Sequence, residues 1–86
     1  MTHVLFDSVQ SQRKIGQHLN DIRRSKGIMT KDLAKELEYD LRSMYRFFAG
    51  DSMFYWFDRF VRVCGALDVK PSRVIADCID ADMVTY

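Results

Sequence analysis

The stretch from residue 28 to residue 50 constrains the fold of this 86-residue chain more than any other. Two sets of apolar residues follow each other there at the i, i+3, i+4 spacing of a helix face. The sets are Leu33, Ala34 and Leu37, then Met44, Phe47 and Phe48. Thr30 and Asp40 precede them as N-cap candidates, and Gly50 can end the second helix because glycine accepts a left-handed backbone. We predict two short helices that meet at a tight turn.

So short a link makes the two helices cross steeply, which is the geometry of a helix-turn-helix motif. Ala34 is small enough to allow a close approach, and Leu37, Tyr39 and Met44 would fill the angle between the helices. The outer face of the second helix would carry Leu41, Arg42, Ser43, Tyr45 and Arg46. A short cationic face of this kind suits the major groove of DNA, which is about 12 Å wide.

Charge is unevenly distributed although the net charge is only +1. Residues 13 to 50 hold nine Lys or Arg and five Asp or Glu, a net of +4. Residues 51 to 86 hold four Lys or Arg and six Asp, a net of −2. A basic half and an acidic half would orient the molecule toward a polyanion.

Three further helices are predicted around this pair. The first has Asp7 or Ser8 as its cap, runs to about Lys26 and ends at Gly27. The second begins near Met53, with Asp51 or Ser52 as its cap, and continues to Ala66. The third opens at Pro71, a residue that the first helical turn accepts. The fold class expected is all-α, a compact five-helix bundle.

The apolar spacing predicts which faces of these helices are buried. The expected core positions are Val9, Ile15, Leu19 and Ile22 in the first helix, Phe57, Phe60, Val61 and Cys64 in the fourth, and Val74, Ile75 and Cys78 or Ile79 in the fifth. Phe54, Tyr55 and Trp56 cannot all share the stripe of the fourth helix. We therefore expect Tyr55 or Trp56 to mark a dimer or partner surface, where aromatic residues are enriched.

The expected organisation is one domain. Residues 1–8 are an N-terminal arm or the start of helix 1, residues 9–79 are the helix-turn-helix domain, and residues 80–86 are a short acidic tail. No apolar run approaches the roughly 18 residues that cross a bilayer, and the N-terminus lacks the pattern of a signal peptide. We expect a cytoplasmic, nucleoid-associated chain with no membrane partner.

The sequence suggests neither catalysis nor a cofactor. Cys64 and Cys78 are expected to be reduced thiols on apolar helix faces, the alternative being a disulfide. His3 and His18 stand alone, so we expect no metal site. No Cys-His or Ser-His arrangement is suggested, and Asp80 and Asp82 lie in the tail. We expect no enzyme and no small-molecule substrate.

Four segments between residues 15 and 75 follow a known pattern. They are Ile15-Gly16-x-x-Leu19-x-x-Ile22-Arg23, Gly27-Ile28-Met29-Thr30-Lys31-x-Leu33-Ala34-x-x-Leu37, Ser43-Met44-Tyr45-Arg46 through Gly50, and Ala66-Leu67-Asp68-Val69-x-Pro71-Ser72-x-Val74-Ile75. With these segments, residues 15 to 75 resemble the DNA-binding domains of phage repressors of the lambda Cro/cI or XRE type. The resemblance implies a five-helix bundle whose third helix reads DNA bases.

The resemblance also implies roles for individual residues. It places Lys31 at a DNA phosphate, and we expect Lys35 and Asp40 to contact phosphates as well, although Lys31 and Lys35 could equally be surface charges and the family pattern also counts Asp40 among its base-reading positions. It places Leu41, Arg42, Ser43, Tyr45 and Arg46 at base edges. Arg42 and Arg46 are the best candidates because a guanidinium can pair with guanine through two hydrogen bonds, although both could be solvated surface arginines. Arg23, Arg24 and Lys26 are expected to be surface charges.

Three positions depart from the family pattern. Glu38 stands where the family usually has glycine at the turn, Lys31 and Phe48 replace the frequent Gln and Glu, and the region of residues 52 to 54 lacks the usual proline. Glu38 also brings a negative charge toward the expected phosphates.

The function expected is a small sequence-specific transcriptional regulator of phage, plasmid or bacterial origin, acting as a repressor. It would bind palindromic double-stranded DNA as a homodimer, with half-sites about 34 Å apart. The alternative is a protein-binding module on the same scaffold, such as an antitoxin, an anti-repressor or an inhibitor of another regulator. Glu38, the low net charge and the many aromatic residues motivate this alternative.

Overall fold

A computed structural model describes residues 8–51 and 55–78, and this part of the chain is all-helical, with five α-helices and no strand. The helices are α1 (Ser8–Ser25), α2 (Thr30–Leu37), α3 (Leu41–Phe48), α4 (Trp56–Leu67) and α5 (Pro71–Cys78). Within the described residues, five helices agree with the prediction, and the predicted bounds of α1 and α3, the end of α2 and the start of α5 agree with the structure to within about one residue. The predicted arm, the acidic tail, the Val9 and Ile79 side chains and the cap at Ser52 lie outside the residues that can be described.

The core forms where the apolar faces of the helices meet. Helix α1 packs against α3, α4 and α5, and α2 packs against α3 and α4. The buried apolar residues are Ile15, Leu19, Leu33, Ala34, Met44, Phe47, Phe48, Trp56, Phe60, Val63, Cys64, Leu67 and Val74. The apolar faces predicted for α2 and α3 are therefore the faces that are buried, with Leu37 and Tyr39 packed partly buried against the core.

Four of the helices end in the same hydrogen-bonded turn. After each of these helices one residue adopts a positive φ. Its backbone amide donates a hydrogen bond to the carbonyl oxygen three residues earlier. The amide of the following residue donates to the carbonyl oxygen five residues before it. Gly27 and Gly50 take this position after α1 and α3, as predicted. Glu38 and Asp68 take it after α2 and α4, with φ of 60° and 57°. The turn between α2 and α3 thus keeps the left-handed conformation without glycine.

Two glycines allow α1 and α3 to pack closely. A Cβ on Gly16 would lie 2.6 Å from the carbonyl oxygen of Phe48. A Cβ on Gly50 would collide with the backbone of Arg13. Since neither backbone can move aside without repacking the bundle, these positions fix how α3 lies across α1.

The predicted start of α4 and half of its predicted buried face are wrong, whereas Phe60 and Cys64 are buried as predicted. The helix begins at Trp56, after Tyr55 in a left-handed conformation, and it buries Trp56, Phe60, Val63, Cys64 and Leu67. Phe57 is 65% exposed and Val61 is 43% exposed, although both were expected in the core. The physical reason is the packing of Trp56, whose indole stacks on the ring of Phe47 with ring centroids 5.2 Å apart. This contact turns the Trp56 side of α4 toward the core, so the side that carries Phe57 and Val61 faces solvent.

The first turn of α2 also differs from the prediction. Thr30 is the first residue of α2, and Met29 precedes the helix with no side-chain hydrogen bond to its free amides. The prediction of two free cysteines is confirmed, with Cys64 buried and Cys78 partly buried. Among the described residues, no helix is both long enough and apolar enough to cross a membrane.

Candidate nucleic-acid interface

The start of α3 is fixed by Asp40. Its Oδ1 accepts a hydrogen bond from the backbone amide of Ser43 at 2.8 Å, which confirms the predicted cap. This bond favours the carboxylate and, helped by the nearby charges of Arg59 and Arg42, lowers the pKa of Asp40 below its ordinary value of 3.8. The observed role of Asp40 is therefore structural, because the carboxylate holds the first turn of α3.

An exposed stripe on α3 faces away from the core. It consists of Leu41, Arg42, Tyr45 and Arg46, which recur at helical spacing opposite the buried Met44, Phe47 and Phe48. Four of the five predicted base-contacting residues thus share one face. Ser43, the fifth, is half-buried and lies on the flank beside Asp40. We call the face formed by Leu41, Arg42, Tyr45 and Arg46 the α3 stripe.

The two arginines of the α3 stripe differ in their surroundings. Nη and Nε of Arg42 form no ion pair or hydrogen bond with the described residues. Nε of Arg46 lies 3.7 Å from Oδ2 of Asp51, and both side chains are about half exposed. Exposed ion pairs of this kind contribute little to stability, so Arg46 can exchange Asp51 for another anion at small cost.

A shallow cleft of about 410 Å³ adjoins the α3 stripe. Leu41 and Tyr45 of the stripe line one side, and the start of α2 with Thr30 and Lys31 lines another. The end of α1 contributes Arg24. The structure therefore places Lys31 beside the α3 stripe, whereas Lys35 is exposed one turn further along α2 and does not line the cleft.

Arg23 and Arg24 were both predicted to be surface charges, but the structure gives them different roles. Arg23 is half-buried, and its guanidinium donates to Oδ1 of Asn20 at 2.9 Å and to the carbonyl oxygen of Ile28 at 2.5 Å. It therefore fastens the loop between α1 and α2 and is not the surface charge that we predicted. Arg24 is exposed at the rim of the cleft, and Met29, also 55% exposed there, was not anticipated.

Arg59 is a second arginine whose role only the structure reveals. Its Cζ lies 4.3 Å from the ring centroid of Tyr39, a cation–π contact that joins α4 to the turn between α2 and α3. Because residues 39 and 59 are far apart in sequence, no local signal could indicate this contact.

The structure rules out one of the two residues, Tyr55 and Trp56, that were predicted to mark a dimer or partner surface. Tyr55 is 70% exposed, as expected of a surface residue. Trp56 is 6% exposed and lies between the rings of Phe47 and Phe60, so it cannot contact a partner. Phe57, which the prediction had assigned to the core, is exposed instead.

Basic and apolar side chains lie side by side around the cleft next to the α3 stripe. Within the described residues, no group of three or more His, Cys, Asp or Glu is placed to hold a metal ion. Comparison with protein-family models and with curated proteins finds no match to this sequence. The residues of the surface themselves are therefore the basis on which a function is inferred.

Proposed function

We propose that this protein is a small sequence-specific DNA-binding regulator, acting as a repressor, with a lambda-repressor-like helix-turn-helix formed by α2 and α3. In this proposal α3 enters the major groove and the α3 stripe reads base edges. Lys31 and Lys35, with Arg24 at the end of α1, neutralise phosphates on either side. The protein binds as a homodimer, since one short helix contacts too few base pairs to define an operator.

The observation that carries the proposal is the outward display of Arg42 and Arg46 on a helix whose opposite face is fully buried. Met44 and Phe47 are each 0% exposed, so α3 is held rigidly by the core while its cations remain available. Lys31 lies beside the same cleft as Leu41 and Tyr45. This is the arrangement that base readout requires, with a fixed helix, base-reading side chains on one face and phosphate contacts at its margin.

The proposal is tested by selecting bound fragments from random DNA and then measuring the affinity of variants for the selected sequence. Arg42→Ala and Arg46→Ala are each expected to cost about 1–3 kcal/mol, or roughly 5- to 150-fold in Kd, if each arginine pairs with a guanine. The specificity at one base position should relax in each case. Thermal unfolding should change little, because both side chains are exposed.

Arg73→Ala is a matched control for Arg46→Ala. Arg73 is also an exposed helical arginine with Nε 3.7 Å from an aspartate oxygen, but it lies on α5. It should leave operator affinity unchanged. The proposal is overturned if no sequence is enriched, or if Arg42→Ala and Arg46→Ala bind the selected DNA as tightly as the parent protein.

A second candidate function is favoured by the exposed aromatic rings of Tyr55 and Phe57, which lie outside the α3 stripe. On this reading the scaffold is a protein-binding module, such as an antitoxin, an anti-repressor or an inhibitor of another regulator. It predicts no binding to DNA fragments even at about 50 mM salt, where phosphate contacts are strong. It also predicts that Phe57→Ala, and not Arg42→Ala, abolishes capture of a specific protein.

A further inference from the structure

Helix α4 presents an apolar ridge to solvent. Phe57, Val61 and Gly65 are spaced four residues apart and therefore lie in one row on the helix surface. Phe57 is 65% exposed, Val61 is 43% exposed, and a Cβ placed on Gly65 would meet no atom within 4 Å. We call this row the α4 ridge. It has a large projecting ring at one end, a branched aliphatic side chain in the middle and an open notch at the other end.

This order of sizes is self-complementary. Two α4 helices placed antiparallel, with a two-fold axis at Val61, would bring each Phe57 over Gly65 of the second copy and the two Val61 side chains against each other. A closed dimer of this kind uses the same patch on both copies. The rise of about 1.5 Å per residue separates Phe57 from Gly65 by about 12 Å, so both ring-to-notch contacts form at once.

The charges beside the α4 ridge are complementary under the same axis. Asp58 and Arg62 lie next to it on the helix, with Oδ2 of Asp58 3.3 Å from Nε of Arg62. In the antiparallel arrangement Asp58 faces the Arg62 region of the second copy, and Arg62 faces the Asp58 region. Two Asp58–Arg62 ion pairs can therefore form between the copies, one at each end of the axis region.

We propose that the α4 ridge is the surface through which two copies of this chain associate. The inference rests on the proposed function in one respect, because that function requires a dimer without saying which surface forms it. A patch on one short helix is well below the roughly 800 Å² per partner of a standard interface. The association is therefore weak in free solution and is completed when DNA holds both copies at high effective concentration.

The experiment uses disulfide cross-linking without DNA. Val61→Cys, in a chain that also carries Cys78→Ser, places one thiol at the two-fold axis, and Arg73→Cys in the same background is the control. The side chain of Arg73 is 80% exposed, so random collision alone would favour the control over position 61. We expect Val61→Cys to form linked dimers about tenfold faster under mild oxidation, and addition of Gly65→Leu to remove this advantage.

Gly65→Leu is a sharp probe because the folded monomer has room for the new side chain. Its thermal unfolding temperature should not fall, whereas its association should be lost. Asp58→Arg should slow cross-linking at position 61 by repulsion from Arg62 of the second copy, and the exchange Asp58→Arg with Arg62→Asp should restore it. The proposal is overturned if Val61→Cys links no faster than Arg73→Cys, or if Gly65→Leu leaves the rate unchanged.

Two further outcomes separate the alternatives. The Val61→Cys thiol should react with a labelling reagent at high dilution. If it is protected there, another part of the same chain covers the α4 ridge, and the proposal is overturned. With DNA, Gly65→Leu should still bind a single half-site as the parent does, but should lose cooperative binding to a full palindrome. Arg42→Ala should lose both. Rapid cross-linking of Val61→Cys without any binding to DNA would overturn the proposed function and would still support the α4 ridge as the surface between two copies.

Discussion

At the scale of single residues, two acidic residues shape the turn between α2 and α3, one through its backbone and one through its side chain. Glu38 holds a left-handed conformation with φ of 60° and ψ of 34°, which costs a residue with a Cβ about 1–2 kcal/mol. Asp40, two residues later, supplies the hydrogen bond that starts α3. Both positions were identifiable from the sequence, since one departs from the expected glycine and the other is a strong N-cap type.

Replacing Glu38 by glycine should therefore stabilise the protein. Glu38→Gly removes the strain of the left-handed conformation, and we expect a net gain of about 0.5–1 kcal/mol after the added freedom of the unfolded chain is counted. Urea unfolding measures the change. Glu36→Gly is the matched control, because it alters an exposed glutamate inside α2 and should destabilise by about 1 kcal/mol.

The charge of Glu38 is tested separately. Glu38→Gln keeps the backbone strain and removes the negative charge near the proposed phosphates, so it should tighten DNA binding without changing urea unfolding. A gain in stability with Glu38→Gln equal to that with Glu38→Gly would contradict the strain argument.

Asp40 gives the stability a defined pH dependence. Its pKa is lowered in the folded state, chiefly by the bond from the Ser43 amide, so the carboxylate stabilises the fold above the ordinary value of 3.8. This contribution is lost as the pH falls through the lowered pKa. Asp40→Asn keeps a cap but cannot titrate there, and urea unfolding in acid should show a shallower loss of stability for this variant. If the parent protein and Asp40→Asn lose stability equally steeply as the pH falls, Asp40 is not the source of this pH dependence.

At the scale of helices, what could be predicted depends on whether the decisive contact is local. The faces of α2 and α3 followed from the spacing of Leu33, Ala34, Met44 and Phe47, because each helix has one apolar stripe. Helix α4 has two adjacent apolar stripes, and the spacing of Phe57 and Phe60 did not identify which of them is buried. Stacking of Trp56 on Phe47 decides it, and that contact belongs to the tertiary structure.

Two helical glycines should respond in opposite directions to the same substitution. In Gly16→Ala the new methyl group would lie 2.6 Å from the Phe48 carbonyl oxygen, so repacking of α1 against α3 should cost about 1–3 kcal/mol despite the better helix propensity. In Gly65→Ala the methyl group meets nothing, and the helix should gain about 1 kcal/mol. Urea unfolding of the two variants checks this, and a gain in both would contradict the close packing at Gly16.

At the scale of the whole molecule, charge is divided unevenly along the sequence. The basic residues of the proposed interface belong to the segment from 13 to 50, with its net charge of +4. The acidic segment that follows, with its net of −2, brings the total close to zero. Attraction to DNA should therefore depend on how the molecule is oriented and not on its net charge.

The dependence of DNA affinity on salt should report this orientation. If Lys31 and Lys35 each neutralise one phosphate, changing both to alanine should make the slope of log K against log salt shallower by about two. The control is the double variant Lys70→Ala with Arg73→Ala, which removes two exposed cations from the segment of residues 51 to 86. It should leave the slope unchanged. Equal effects of the two double variants would mean that binding lacks a defined orientation.

The sequence by itself determined where α1, α2, α3 and α5 lie and which faces of α2 and α3 are buried. Caps, left-handed helix ends and apolar spacing act between residues a few positions apart, so the chain carries them locally. Only the tertiary structure decided that Trp56 is core and Phe57 is surface, that Arg23 fastens a loop, and that Arg59 covers Tyr39. Each of these depends on a partner from another helix, and two equally apolar or equally basic candidates are distinguished only when the helices pack.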